Sequence, residues 1–381
     1  MAAARWAENQ ASDLGERERT AKVTLTGDLA GLSLVCVSRE EPMGNKRGAA
    51  RRRSPWPPEA ALDKPDDLSD QSLFSRSVIS PLRYPGAKRQ LVPVIEGLIA
   101  ANIPPPRLLV EPFCGGATTT LRLLGAGVAE HGVLADVDPL VAAFWKTAAF
   151  DASWLISSMH ELRVTVAEWD RWRAANPRSR RDRALKCLFL NRTTFSGILH
   201  GRAGPIGGRA QASKYKIDCR FGLEGLTRRI KGVSELASTG RLLDVWQADW
   251  RTALQRVSDR FGFLTSDEVL IYLDPPYVDK ALWLYEWSFD SKKHSDLATT
   301  LSKEVPYRWL LSYDDHGTVR DLYCGRTDQT TLHVSHRYTA AGSEKRTVKD
   351  ELLVTNLPTI PPSDRYRVLD VQPPPKSTVL D

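Results

Sequence analysis

The feature that most constrains the fold is an apolar run, Val269–Leu273, that ends directly at Asp274-Pro275-Pro276-Tyr277. A short run rich in β-branched and aromatic side chains predicts a buried strand. In an open α/β sheet ligands bind at the carboxyl ends of the strands, so the four residues stand where a site is expected. The two prolines stiffen the loop and leave carbonyl acceptors. An aspartate and a proline carbonyl suit an exocyclic amine, and a tyrosine ring suits a flat base. A strand followed by a turn with a helix-capping aspartate is the alternative.

A second strand and turn lie far upstream. Leu108–Val110 predicts a strand, and Glu111–Thr118 contains paired glycines, which let the backbone turn sharply and approach a ligand closely. Beyond Gly116 a further strand ends at Asp136, which would accept hydrogen bonds from ribose hydroxyls. The glycines do not follow Gly-x-Gly-x-x-Gly, so the pattern favours a nucleoside cofactor without phosphates, such as S-adenosylmethionine. A purely structural strand–helix turn is the alternative.

Several segments resemble motifs of the DNA adenine-N6 methyltransferases of the adenine-methylase (Dam-like) family. They stand in the family's order from about Pro81 to Asn356: Leu82–Lys88, Val110–Gly116, Leu134–Asp138, Leu190–Gly197, Tyr215–Asp218, Asp274–Tyr277 and Lys349–Leu353. Two positions depart from the family pattern. Tyr84 stands where many members carry tryptophan, which keeps an aromatic face, and Cys114-Gly115-Gly116 replaces the commoner Gly-x-Gly.

The resemblance implies an α/β fold, a Rossmann-like sheet of an S-adenosylmethionine-dependent methyltransferase with an inserted, mainly helical DNA-recognition domain. It implies site-specific methyl transfer from S-adenosylmethionine to N6 of an adenine flipped out of duplex DNA. The implied catalytic residues are Asp274, Pro275, Pro276 and Tyr277. The implied cofactor-binding residues are Tyr84, Lys88 (facing the methionine carboxylate), Phe113, Gly115, Asp136, Asp249 and Asp274. Asp249 either accepts from the cofactor's adenine amine or caps the following helix.

The distribution of charge indicates a polyanion partner. Residues 146–241 hold nineteen Lys and Arg against eight Asp and Glu, whereas the whole chain carries a net charge of only +7. A basic segment in an otherwise mildly acidic protein is typical of nucleic-acid binding, although an arginine-rich solvated surface gives the same count. The candidate DNA-binding residues are Asn191, Arg192, Arg202, Arg209, Lys214 and Lys216. Asn191 and Arg192 could read base edges, while phosphate contact is expected for the other four.

The sequence predicts five segments. Residues 1–76 have the composition of a disordered extension, residues 77–150 and 241–360 form the catalytic domain, residues 151–240 form the inserted recognition domain, and residues 361–381 form a proline-rich tail. Within the catalytic domain we expect a helix that buries Leu91, Ile95 and Leu98, and a final antiparallel pair of strands, Gln329–Tyr338 with Thr347–Asn356.

Several classes of protein are disfavoured. The five cysteines are scattered without a Cys-x-x-Cys pair, which argues for reduced thiols in the cytoplasm and against structural zinc. No residues show metal-ligand spacing, no apolar stretch reaches the length of a membrane span, and the N-terminus lacks a signal pattern. We therefore expect no metal and no membrane association.

Three functional alternatives stay open. A cytosine-N4 methyltransferase would use the same site chemistry on another exocyclic amine, an RNA methyltransferase would differ in substrate, and a catalytically silent DNA-binding protein would lack turnover. A companion restriction enzyme is compatible with the family, and the recognition sequence is not predicted. The aromatic residues that alternate downstream of Tyr277 either line a pocket for the flipped base or form an edge strand: Trp283, Tyr285, Trp287 and Phe289.

Overall fold

The fold is described from a computed structural model, which describes residues 78–84, 88–278, 289–337 and 348–369. The predicted disordered extension, residues 1–76, lies outside the described residues. So do Pro85-Gly86-Ala87 of the first motif and three of the four alternating aromatics, Trp283, Tyr285 and Trp287.

An eight-stranded mixed sheet forms the centre of the described structure, in the order β3-β2-β1-β4-β5-β7-β6-β8. Strands β1 to β5 are parallel, whereas β7 runs antiparallel to both β5 and β6, and β8 runs antiparallel to β6. The strands are β1 Leu108–Glu111, β2 His131–Asp136, β3 Leu242–Gln247, β4 Val269–Leu273, β5 Arg308–Asp314, β6 Thr330–Arg337, β7 Val348–Thr355 and β8 Arg367–Val368.

Ten α-helices are described. They are α1 Val92–Ala100, α2 Thr118–Gly125, α3 Pro139–Phe150, α4 Ala152–His160, α5 Val166–Ala174, α6 Arg180–Thr193, α7 Leu223–Ser238, α8 Trp250–Phe261, α9 Ser291–Lys303 and α10 Gly317–Tyr323. Short polar side chains begin several of them: Asp138 caps α3, Ser179 caps α6 and Asp290 caps α9, each accepting from a backbone N–H of the first turn. None of the described helices is long and apolar enough to cross a membrane.

The sheet is covered by helices on both faces because successive strand residues point to opposite sides. Leu109 and Leu270 face the cluster that contains the apolar residues of α1 to α7, whereas Leu108 and Ile271 face the cluster formed with α8 to α10. Five consecutive buried residues in β4 are therefore what a strand covered on both faces requires. This arrangement is a three-layer α/β sandwich.

Helices α4 to α7 occupy the segment predicted to be an inserted recognition domain. Residues of α6, among them Leu188 and Phe189, are fully buried in the same hydrophobic cluster as Phe144 and Trp145 of α3. The segment is thus helical, as expected, and it packs directly onto a helix of the catalytic part. A role in target recognition remains a prediction.

Most local elements agree with the sequence. Leu91, Ile95 and Leu98 are buried, and the antiparallel pair is formed by β6 and β7, with Leu332 opposite Leu353. One strand was not expected. The two residues of β8 lie within the segment predicted to be a proline-rich tail and pair with β6.

Candidate active site

The candidate site is a cavity of about 210 Å³ at the carboxyl ends of the parallel strands. The chain leaves β1 towards β2 and β3 on one side and later returns to β4 and β5 on the other, so β1 and β4 flank the point where the strand order reverses. Ligands of open α/β sheets bind at this point. The lining residues that the sequence predicted for the site are Tyr84, Lys88, Phe113, Gly115, Asp136, Asp249, Asp274, Pro275, Pro276 and Tyr277.

The turn after β1 depends on its glycines and on Tyr84. Gly115 has φ +41°, and a Cβ atom there would lie 2.6 Å from the Tyr84 ring. A Cβ atom at Gly116 would lie 2.8 Å from the Cβ of Tyr84. The glycines therefore let the tyrosine lie directly against the turn. This contact joins the first motif to the second and builds one wall of the cavity.

Asp136 closes the same turn from β2. One carboxylate oxygen accepts from the Gly115 backbone N–H at 2.8 Å, and the other accepts from the Asp138 N–H at 2.9 Å. Burial raises the pKa of Asp136 to about 7, and the nearby Asp138 adds to that shift. The carboxylate is held in place by backbone groups at the cavity wall.

Glu111, the last residue of β1, is a buried carboxyl that the sequence analysis did not select. It lines the cavity, is only 3% exposed, and its Oε2 has no hydrogen-bond partner among the described residues. Burial raises its pKa to about 8, and Asp274 and Asp136 contribute to the same shift. A buried carboxyl oxygen without a partner is costly, and a cationic ligand beside it would favour the charged form of Glu111 and supply a donor.

Asp274 follows β4 and is oriented through only one of its two oxygens. Oδ1 accepts from Lys88 Nζ at 2.6 Å and from Ser312 Oγ at 3.0 Å. No hydrogen bond from a described residue reaches Oδ2, and the side chain is 23% exposed. Ser312 comes from the neighbouring strand β5 and also contacts the buried hydroxyl of Tyr272 at 3.0 Å. The carboxylate is thus fixed with one acceptor oxygen available.

Lys88 and Tyr277 complete this side of the cavity. Lys88 Nζ donates to the Tyr277 hydroxyl at 2.8 Å and lies 4.5 Å from the centre of its ring. Burial alone would lower the pKa of Lys88, but Asp274, Glu351 and Tyr277 together raise it well above its usual range. The Tyr277 hydroxyl also lies 3.5 Å from Glu351 of β7. The lysine therefore stays charged and holds both catalytic candidates.

Aromatic rings form the opposite wall. Phe113 meets Phe289 edge to face, with 5.6 Å between ring centres. Behind them, the buried His294 accepts from or donates to the Tyr313 hydroxyl at 2.7 Å. Asp249 lines the cavity and also caps α8, accepting from the Thr252 N–H at 2.9 Å, so the helix-capping alternative for this residue is realised.

Cys114 lies inside the turn and is not exposed. Burial raises the pKa of its thiol well above the usual range. A neutral buried thiol is a packed residue rather than a nucleophile. Within the described residues, no group of side chains is arranged to hold a metal ion.

The comparison with protein families decides the class. Residues 84–202 match the family model of the D12 class N6 adenine-specific DNA methyltransferases. These residues carry a D12 class methyltransferase domain. The match confirms the predicted family resemblance and the predicted enzyme class, an adenine-specific DNA methyltransferase. It includes Tyr84, the glycine turn and Asp136, and it ends before Asp274. No protein in a curated set of characterised sequences matches the chain.

The structure buries both residues that were considered for base reading, Asn191 and Arg192. Asn191 is completely buried. Its amide accepts from the Arg83 backbone N–H at 2.7 Å and donates to the Arg83 carbonyl at 2.7 Å and to the Gly197 carbonyl at 3.0 Å. In this arrangement Asn191 holds backbone beside the cavity and presents no group to a base edge. Arg192 is also largely buried, and its Nε donates to the Arg220 carbonyl at 2.8 Å.

The other four DNA-binding candidates are exposed: Arg202, Arg209, Lys214 and Lys216. Arg209 is paired with Asp170 through two hydrogen bonds of 3.0 and 2.8 Å. Lys216 donates to the Gln211 carbonyl. Phosphate contact by these side chains remains a prediction, and for Arg209 it would compete with a formed ion pair.

Two further residues, one lining the cavity and one near it in the sequence, were not selected as site residues from the sequence. His200 lines the cavity and lies 2.7 Å from Asp138. Phe195 is 66% exposed in a short turn that continues into the lining residues Gly197 and Ile198.

Proposed function

We propose that this methyltransferase transfers a methyl group from S-adenosylmethionine to N6 of an adenine flipped out of duplex DNA. The observation that carries the proposal is that one cavity holds both the Asp136 turn and the free Oδ2 of Asp274. A nucleoside cofactor and an exocyclic amine would therefore meet in the same enclosed space. Bringing two reactants together in this way supplies much of the rate acceleration of a transfer reaction.

The residues present fit the cofactor. Five carboxyl groups line the cavity, those of Glu111, Asp136, Asp138, Asp249 and Asp274, and Lys88 is paired with the last of them. S-adenosylmethionine supplies an electrophilic methyl group on a positively charged sulfur and also carries an ammonium group. Asp136 would hold the ribose hydroxyls, Tyr84 would cover the turn, and the unpartnered Oε2 of Glu111 suits the cationic part.

Asp274 and Pro275 would act on the amine of the target base. The Asp274 carboxylate would accept one N6 hydrogen through Oδ2 while the Pro275 carbonyl accepts the other. This pair of acceptors favours a pyramidal nitrogen whose lone pair is free to attack. Acceptors fixed beforehand stabilise charge that develops only in the transition state. Lys88 and Ser312 would keep Oδ1 occupied, so that the carboxylate does not rotate.

Lys88 would also contact the methionine carboxylate of the cofactor. Lys88 has three donors and uses two of them on Asp274 and Tyr277. The third is available for a carboxylate of the cofactor. In that case one ammonium group would tie the cofactor to the catalytic loop.

Base flipping follows from the depth of the amine acceptor. An adenine stacked inside a duplex cannot bring N6 to a carboxylate at the end of a strand within a cavity, so the base would have to leave the stack. Tyr277, whose hydroxyl is held by Lys88, is the ring on which the base would stack. Phe195, which is exposed two residues before the lining residue Gly197, would fill the position that the base leaves in the duplex.

A labelled-methyl assay tests the function. The protein is incubated with S-adenosylmethionine labelled in the methyl group and with duplex DNA, single-stranded DNA or structured RNA in parallel. We expect label in duplex DNA and little in RNA. Label in RNA alone would support the RNA alternative, and absence of label from every substrate would support the catalytically silent DNA-binding protein.

Cofactor binding is tested separately by thermal melting. A ligand that binds only the folded protein raises its melting temperature. S-adenosylmethionine should therefore stabilise the wild-type protein, and Asp136→Ala should largely remove the shift. Stabilisation by a nicotinamide dinucleotide, without any by S-adenosylmethionine, would overturn the cofactor assignment.

A further inference from the structure

Four arginines lie together beside the cavity: Arg83, Arg192, Arg220 and Arg229. Burial lowers the pKa of Arg192, and the charges of Arg229, Arg83 and Arg220 lower it further, to about 10. Burial and then Arg220 also lower the pKa of Arg83. No carboxylate of a described residue is among the groups that shift either pKa. The arginine cluster, as we call these four residues, is therefore a concentration of positive charge, and in the described part of the chain no carboxylate offsets the charges of Arg83 and Arg192.

Within the described residues, the arginine cluster contains a buried hydrogen-bond donor that has no acceptor. Arg83 Nη1 is buried and has no hydrogen-bond partner among the described residues. Arg192 donates from Nε to the Arg220 carbonyl, and Arg229 donates from Nη1 to the Ser80 carbonyl at 3.2 Å. A buried donor without an acceptor is unfavourable and is usually satisfied when a ligand binds. The missing group is an acceptor, and the surrounding charge favours an anion.

The position of the arginine cluster is fixed relative to the cavity. Asn191 holds the Arg83 backbone from both sides, and a Cβ atom at Gly197 would lie only 2.3 Å from the Arg83 carbonyl oxygen. Tyr84, next to Arg83, and Gly197 both line the cavity. An anion bound to the cluster would therefore lie close to the cavity, on the side formed by Tyr84 and Gly197.

We propose that the arginine cluster binds a backbone phosphodiester of duplex DNA next to the flipped-out nucleotide. This inference rests on the proposed function, because it requires DNA as the substrate. Guanidinium groups match the oxygen geometry of phosphate through paired N–H donors. A phosphate flanking the target must be held as its nucleotide rotates out of the duplex. Arg192 then contacts the backbone instead of a base edge.

Salt titrations of duplex binding, without cofactor, test the arginine cluster. Each neutralised phosphate contributes about −0.9 to the slope of log affinity against log salt concentration. Arg83→Gln should flatten the slope by roughly one unit and weaken binding at low salt about tenfold. Arg192→Lys keeps the charge but loses the paired donors, so it should weaken binding with little change of slope. Arg365→Gln, an exposed arginine outside the cluster, is the matched control and should bind like wild type.

Neutral methylphosphonate linkages locate the contact. A series of duplexes carries one such linkage at successive positions around the target adenine. At one position flanking the adenine the substitution should weaken wild-type binding about tenfold and have no further effect in Arg83→Gln. If the losses of affinity caused by Arg83→Gln and by the neutral linkage add at every position, the proposal would be overturned. It would also be overturned if Arg83→Gln and Arg192→Lys both bind with the affinity and the salt dependence of the wild type.

Two controls keep the outcomes distinct. Thermal melting checks that each variant is folded, and if Arg192→Lys does not fold, Arg83→Gln with the methylphosphonate series still decides the question. Wild-type protein that methylates duplex DNA while both cluster variants bind normally would overturn the arginine cluster alone. If the wild type does not methylate duplex DNA, but binds it in a salt-dependent way that Arg83→Gln weakens, the proposed function would instead be overturned.

Discussion

At the scale of single residues, the site is organised around one carboxylate with two different oxygens. Oδ1 of Asp274 is held by Lys88 and Ser312, whereas Oδ2 of this cavity-lining residue has no donor among the described residues. Oδ1 therefore serves to position the carboxylate, and Oδ2 would accept a hydrogen bond from the substrate. A variant can therefore remove the acceptor while leaving the positioning contacts in place.

Asp274→Asn provides that separation. The amide keeps the shape of the side chain but loses the charge and turns one acceptor into a donor. We expect methyl transfer to fall by about 10²–10³ or more, by analogy with removal of one preorganised group from a catalytic site. Ser312→Ala, which affects only orientation, should cost roughly tenfold. Single-turnover rates on duplex DNA measure both, and near-normal turnover in folded Asp274→Asn would contradict the acceptor role.

We predict that Glu111 lowers the stability of the folded protein and strengthens its binding of the cofactor. Burial raises its pKa from an ordinary 4.5 to about 8, so the folded protein binds a proton more tightly than the unfolded chain. Its contribution to stability is therefore lost as pH rises from about 4.5 to about 8. The free energy of unfolding of Glu111→Gln should therefore exceed that of the wild type by an amount that grows as pH is raised from about 5 to about 8, to a few kcal/mol at most. The melting temperature of the variant should rise above that of the wild type over the same range.

The same variant should bind S-adenosylmethionine more weakly, because the cation loses its partner. Thermal melting across this pH range, with and without the cofactor, measures both effects. A difference between variant and wild type that does not change with pH would show that Glu111 is not a buried titrating group. Unchanged cofactor binding would remove it from the cofactor site.

At the scale of elements, the strand ends and the turns that follow them carry the site. The turn after β1 predicts a sharp contrast between two glycines. Gly115→Ala requires φ +41° and a Cβ atom 2.6 Å from the Tyr84 ring, whereas Gly97 in α1 has open space around it. Gly115→Ala should cost about 1–3 kcal/mol in stability and weaken cofactor binding.

Gly97→Ala is the matched control and should be neutral or stabilise by about 0.5–1 kcal/mol, because alanine favours a helix. Chemical denaturation and cofactor titration compare the two variants. Equal effects of both substitutions would show that the contact between the turn and Tyr84 does not matter.

Local sequence patterns predicted the elements better than the contacts between them. The run Val269–Leu273 is strand β4 residue for residue, and the acid at Asp136 ends β2, because apolar periodicity and turn residues act over short distances. Ser312 and Glu111 carry no such signal. Ser312 reaches the site only because β5 lies beside β4, and the burial of Glu111 depends on residues from other elements.

Asn191 shows the same limit from the other side. Its motif suggested contact with DNA, but the side chain is buried and binds the backbone of Arg83, more than one hundred residues earlier in the chain. A sequence motif marks that a residue matters, while the fold decides whether it faces a ligand or the interior. Several of the segments that resemble family motifs are far apart in the sequence and come together only in the folded structure.

At the scale of the whole molecule, the two kinds of charge are separated. Carboxyl groups line the cavity, where a cationic cofactor would bind, and the arginine cluster includes Arg83, the neighbour of the lining residue Tyr84, and would hold a polyanion. The net charge of +7 by itself indicates only a general preference for anionic partners. The arrangement of the charges predicts which partner goes where.

Nucleoside analysis of methylated duplex DNA tests directly whether the protein methylates N6 of adenine and whether Asp274 is required. DNA treated with the protein and S-adenosylmethionine is digested to nucleosides, and N6-methyladenine and N4-methylcytosine are quantified beside DNA treated with Asp274→Asn. We predict N6-methyladenine with the wild type, and with Asp274→Asn a level lower by about 10²-fold or more. N4-methylcytosine in its place would show a cytosine enzyme, and equal N6-methyladenine from the wild type and the variant would contradict the account of the site.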